Sequence, residues 1–172
     1  NRPDWIDYLI IDGCGSFPEY PRVSGVPGDF PVLNFPEISM HGMQPWGGFG
    51  ANPQPRYWQA YWDKTRALVS GGFPYSEGIF EDINKVSMLQ LNWNPEQKVD
   101  GILREYAASY FSPDIAEDFV KSAYMLEDDL GHSRLQTNGR YRLGSMLSAE
   151  STFELITQMD GTLPNNVRHS WR

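Results

Sequence analysis

The sequence predicts an α/β to mainly α protein: the last strands of a TIM-type barrel, incomplete in this chain, followed by a helical, bundle-like region. Three observations carry this. The chain has 172 residues, below the roughly 250 that a complete barrel of this type takes. More than half of its 16 Gly and 13 Pro precede residue 56 and separate short apolar runs. Beyond residue 55 the apolar residues recur at helical spacing.

The elements follow in order. Tyr8 to Ile11, Phe30 to Leu33 and Phe35 to Met40 are short apolar runs bounded by Gly and Pro, the pattern of buried strands. The stretches Gly13 to Gly28 and Gly42 to Pro55 read as long loops, and long ordered loops are usually functional. Tyr57, Trp58, Tyr61, Trp62, Thr65 and Leu68 then form an i, i+3, i+4 stripe that Gly71-Gly72 stops. Phe73-Pro74-Tyr75 is extended, because a proline pushes its predecessor out of the helical region. Ser76 looks like the cap of the next helix, with Glu77 in its first turn. Asn94-Pro95-Glu96-Gln97 and Ser112-Pro113-Asp114 carry two further helix starts. Residues 131 to 145 read as a loop. A last helix runs from about Ser148 to Met159, ended by Gly161 and Pro164.

A strand-rich third of this size cannot close a sheet alone. The expected division is therefore 1–92, the C-terminal part of a barrel-like domain, and 93–172, a helical extension. The first residue is Asn1, and Val167 to Arg172 reads like the start of another helix. Both suggest a piece of a longer polypeptide, with the rest of that polypeptide as a partner.

Composition excludes some partners. The formal net charge is −8 and the pI about 4.8, which repels nucleic-acid phosphates. No apolar run reaches the length of a membrane span. One cysteine, Cys14, forbids an internal disulfide, and three scattered histidines give no metal-ligand spacing. No metal and no cofactor are expected.

Some residues suggest chemistry. Glu37 is a carboxylate inside the apolar run Phe35 to Met40, before a loop rich in Gly and Trp. Burial raises a carboxyl pKa, as a general acid needs, and the end of a barrel strand is where such a group meets substrate. The plainer readings are a buried Glu paired with an arginine, or a solvent-facing Glu on an edge strand. Glu77 and Glu81 are four residues apart and would share a helix face. Paired carboxylates are what glycoside hydrolysis uses, although Glu77 alone is also what a helix dipole favours. Asp12 ends the first apolar run and would stand at a strand end, or cap the following turn. Trp46, in a flexible Gly-rich loop, suits stacking on a sugar ring. His41 and Tyr75 supply donors to hydroxyls. Trp58, Tyr61 and Trp62 read as core.

The residues Asn34 to Met40, Trp46 to Pro53 and Gly71 to Lys85, with Ile102-Leu103-Arg104-Glu105-Tyr106, together resemble uncharacterised bacterial glycoside-hydrolase-like proteins. Those proteins are similar to alpha-glucuronidases and hexosaminidases in having a TIM-type barrel followed by a helical region. The resemblance spans roughly residues 30 to 126. It implies a carbohydrate substrate, a parent protein that is periplasmic or extracellular, and earlier barrel strands outside this chain. The expected function is then hydrolysis of glycosidic bonds by carboxylates, with Glu37 and Glu77 catalytic and Asp12, His41, Trp46, Tyr75 and Glu81 contacting substrate. The alternative is a non-catalytic carbohydrate-binding or helical scaffold module. A third reading, a protein-interaction surface, predicts an exposed apolar patch around Trp58 and Trp62.

Overall fold

The computed structural model of the chain describes residues 3–13, 17–38, 53–76, 81–129 and 149–170. Among them the protein is mainly helical, built around one small sheet of three parallel strands. Strand β1 is Leu9–Asp12, β2 is Val32–Phe35 and β3 is Gly71–Gly72. The spatial order is β1-β2-β3, with Leu9 opposite Val32, Asp12 opposite Phe35 and Leu33 opposite Gly71. Parallel neighbours require a crossover, usually helical. Helix α1 (Glu19–Ser24) and a 3-10 turn at Pro27–Asp29 lie between β1 and β2, and α2 (Pro55–Thr65) lies between β2 and β3. The stretch after Gly13 thus carries a helix where the sequence suggested only loop.

Helices α3 (Asp82–Trp93), α4 (Val99–Tyr110), α5 (Ala116–Asp129), α6 (Ala149–Thr162) and the single turn α7 (Asn165–Arg168) complete the described fold. One apolar core joins the two parts of the chain. Trp58, Tyr61 and Trp62 of α2 enter it with Met88 and Leu91 of α3, Val99, Ile102 and Leu103 of α4, and Val120 and Ala123 of α5. Full burial of such side chains stabilises by about 1.5–3 kcal/mol each. Trp58 and Trp62 are each 2% exposed. They are core, as the stripe suggested, and the interaction-patch reading fails on them.

Strand residues point alternately to opposite faces. Leu9, Ile11, Val32 and Asn34 form the face turned to the helices: Val32 and Asn34 are buried, and Ile11 packs on the core. Ile10, Leu33 and Phe35 form the other face, extended by Phe73 beyond β3. There Ile10 is 63% and Phe73 41% exposed. β1 is therefore an edge strand, not a buried one, and one apolar face of a parallel sheet stays uncovered by the described residues.

Several helix boundaries depart from the sequence reading. Gly71-Gly72 does not stop α2, which ends at Thr65; it forms β3 instead. A Cβ on Gly72 would lie 2.6 Å from the Asn34 carbonyl oxygen and 3.0 Å from Asn92 Oδ1. Close packing thus explains glycine there. Helix α3 starts at Asp82 with Glu81 in the capping position, not at Ser76. The expected pairing of Glu77 with Glu81 on one helix face falls on Glu77, which lies outside the described residues. Asn94 closes α3 and folds a turn in which Asn94 Oδ1 accepts the Glu96 N–H at 3.3 Å and the Asn94 carbonyl accepts that of Gln97 at 3.1 Å. That turn delays α4 to Val99. Helix α6 runs through Gly161 to Thr162. Ser112 does cap as read: its hydroxyl accepts the Asp114 N–H at 3.2 Å ahead of α5. The predicted loop at 131–145 lies outside the described residues.

Candidate functional site at the carboxyl edge of the sheet

All three strands run the same way, so their carboxyl ends meet along one edge. Asp12 is the last residue of β1. Past β2, Pro36 cannot donate to a ladder, but the chain stays extended, and Glu37 pairs with Tyr75 in a parallel bridge beyond β3. The Tyr75 N–H donates to the Pro36 carbonyl at 2.8 Å, and the Ile38 N–H donates to the Tyr75 carbonyl at 3.0 Å. Asp12, Glu37 and Tyr75 are thus brought to one edge by backbone register. Glu37 is 8% exposed and Tyr75 37%. The Phe35 ring lies 5.5 Å from Tyr75 and 5.4 Å from Phe73, an aromatic floor leading up to the edge.

Glu81 joins the same region from the start of α3. It is buried, and the Ser76 hydroxyl donates to its Oε2. Glu77, His41 and Trp46 lie outside the described residues, as does Cys14.

The edge contains residues that sequence reasoning passed over. Gln54 precedes α2 and is 1% exposed. Its N–H donates to Asn84 Oδ1 at 3.0 Å, and Asn84 Nδ2 donates to the Ile38 carbonyl at 3.4 Å. The end of β2, the start of α2 and the first turn of α3 are stitched together by these two bonds. The Gln54 carboxamide has no partner for either end, nor has Trp58 Nε1, among the described residues. A buried polar group left without any partner costs about 1–3 kcal/mol.

Tyr57, one residue before Trp58, was read as part of the core stripe. It is half-buried, and its hydroxyl is held above the ordinary tyrosine range first by burial and then by the negative charge of Glu37. Tyr61, one turn further, donates from its hydroxyl to Asn34 Oδ1 at 3.1 Å. Gly13 lies against this pair: a Cβ there would come within 2.6 Å of Asn34 Oδ1. The visible signal for Asn34 and Asn84 was an amide within an otherwise apolar strand or stripe.

The start of α2 is fixed from far away in sequence. Glu127 of α5 accepts the backbone N–H groups of Arg56 and Tyr57, each at 3.0 Å. Burial, its largest influence, leaves the Glu127 carboxyl above the usual carboxylate range, against the lowering effect of those two N–H groups and Arg56. The Arg56 guanidinium clasps Asp128 at 2.7 and 3.1 Å and lies 4.7 Å over the Tyr124 ring. Helix α5 thereby fixes the backbone of Arg56 and Tyr57 at the start of α2.

Chemically, the edge offers a buried carboxylate at a strand end, a second carboxylate under a serine hydroxyl, two tyrosines and a primary amide. Such groups can move one proton and bind hydroxyls. No cluster of three or more His, Cys, Asp or Glu suited to a metal ion forms among the described residues. No described helix is long and apolar enough to cross a membrane. Comparison with known protein families, characterised proteins and solved structures finds no match to this chain.

Proposed function

We propose that this chain supplies the closing strands and part of the catalytic edge of a TIM-type barrel in a carbohydrate-active enzyme that hydrolyses glycosidic bonds. The reading joins the resemblance to glycoside-hydrolase-like proteins to one observation. That observation is the convergence of Asp12, Glu37 and Tyr75 at the carboxyl ends of adjacent parallel strands, the end where barrel enzymes keep their sites. The open face of the sheet supports it, because parallel sheets are covered on both sides and an apolar inner face suits a barrel interior. Further strands of a longer polypeptide would then lie beside β1.

In this reading Glu37 is the general acid that protonates the leaving oxygen, and Glu77 is the second carboxylate. Asp12, His41, Trp46, Tyr75 and Glu81 hold the sugar. The reaction passes through an oxocarbenium-like state and uses no cofactor. The parent protein is periplasmic or extracellular. The test is turnover of a panel of aryl glycosides and uronides by the longer polypeptide, beside this chain alone. Release of the aryl group by the former supports the reading, and binding of sugar with no release by either would favour the non-catalytic module. The exposed rings of Phe73 and Tyr75 are the observation that keeps this second reading in view.

A further inference from the structure

A separate cavity of about 270 Å³ lies between α1 and α2, lined by Phe17, Arg22, Tyr57, Ala60, Tyr61, Lys64 and Thr65. Its wall is one face of α2, since residues 57, 61 and 64 follow the spacing of a single helix face. At 1.5 Å rise per residue, Lys64 stands about 10 Å along the axis from Tyr57. The cavity is therefore graded. Tyr57 stands toward the start of α2 and feels the charge of Glu37, Lys64 stands toward the end of that helix, and Phe17, Tyr61 and Arg22 of α1 complete the lining.

The charge of that lining is opposite to that of the chain. The net charge is −8, yet among the described residues the cavity is lined by two cations and no carboxylate. Arg56, Arg66, Lys98, Arg104 and Arg168 are all engaged in ion pairs. Arg22 and Lys64 make none among the described residues. Two exposed cations without an ion pair among the described residues, in a lining that also holds three aromatic rings, suit an anion carrying a flat apolar body. The volume sits just below the roughly 300–1,000 Å³ of sites for drug-sized ligands, which limits the occupant to one ring and its charged group.

We propose that this cavity binds a small ring-bearing oxyanion, its carboxylate or phosphate held by Arg22 and Lys64 and its ring set against Phe17, Tyr57 and Tyr61. The site does not depend on any chemistry at Glu37, and it stands or falls apart from the glycosidase reading.

The probes are benzoate and phenyl phosphate, with benzyl alcohol as the neutral counterpart, titrated into the chain by NMR and calorimetry. Saturable shifts at Ala60 and Lys64 are expected for at least one anion and not for the alcohol. Binding of only one anion supports the proposal and identifies the charged group. Arg22→Gln and Lys64→Gln, both at exposed positions, are each expected to weaken binding about five- to tenfold, in line with loss of a charge-assisted hydrogen bond near solvent. Ala60→Phe, which fills the cavity from the helix surface, is expected to abolish it. The proposal is overturned if neither anion shifts these residues at millimolar concentration, if the alcohol binds as well as the anions, or if the double variant Arg22→Gln/Lys64→Gln binds like the parent.

Discussion

Glu37 and Tyr75 stand opposite each other in a parallel bridge, three residues beyond Asn34 and Gly72, the last ladder pair of β2 and β3. A carboxylate and a phenol that are 38 residues apart are thus placed side by side by backbone hydrogen bonds alone. The Tyr57 hydroxyl of α2 feels the charge of the same carboxylate.

Glu37→Gln removes the charge that helps hold the Tyr57 hydroxyl up. The Tyr57 pKa should fall part of the way toward its usual value near 10, because burial, the larger cause, persists. The sign for stability follows. A tyrosine raised in the folded state contributes stability that is whole below the unfolded pKa and is lost as pH rises through the folded one. Absorbance titration of the phenolate, with Tyr57→Phe to identify the signal, reads the shift. An unchanged Tyr57 titration in Glu37→Gln would remove the coupling.

Glu127→Ala leaves two N–H groups of α2 without their acceptor. Loss of a helix cap costs about 0.5–2 kcal/mol, and urea unfolding should show a loss of that order. Glu127→Gln should behave differently with pH. Because the folded Glu127 pKa is raised, its contribution is whole below the unfolded value near 4.3 and declines as pH rises through the folded value. The glutamine variant should therefore gain on the parent between about pH 4 and neutrality. A constant difference across that range would contradict the assignment.

How much of this was legible beforehand differs by residue. Asp12 was visible as the polar end of an apolar run, Glu37 as a carboxylate inside one and Tyr75 as part of a short extended piece, and register does bring them together. Gln54 was not visible. A glutamine before a proline carries no pattern, and its burial depends on Asn84, 30 residues away. Helix starts were misread where the cap comes from elsewhere. The Val99 N–H of α4 is satisfied by Gln59 Oε1 on α2 at 3.0 Å, and that bond cannot be seen in the local sequence Asn94 to Gln97. Gly71-Gly72 carried the signal of a helix stop, but close packing against Asn34 and Asn92 made it a strand. Tertiary contacts, not propensity, decided each of these.

Gly13→Ala should destabilise by about 1–3 kcal/mol, the usual cost of overpacking, because a methyl there intrudes on the Tyr61–Asn34 pair. Adding Tyr61→Phe, which deletes the hydroxyl, should recover part of the loss. A double-mutant cycle on thermal unfolding tests this, and strict additivity of the two substitutions would contradict the packing argument.

Ile10→Thr and Phe73→Ser place polar groups on the open face of the sheet. In this chain both side chains are substantially exposed, so stability should change by no more than about 0.5 kcal/mol each. In the longer polypeptide, where that face would be a barrel interior, the same changes should cost about 1–3 kcal/mol for apolar burial lost. Equal small effects in both contexts would speak against a covered face.

The central claim rests on Glu37 as the proton donor at the carboxyl edge, and one comparison tests it most directly. It is kcat/KM for aryl glycoside or uronide hydrolysis by the longer polypeptide, with glutamate or glutamine at position 37. Glu37→Gln is expected to lower kcat/KM by about 10²–10⁴, the usual worth of a positioned general acid, with the fold retained by circular dichroism. Full hydrolytic activity in the Glu37→Gln protein would contradict it.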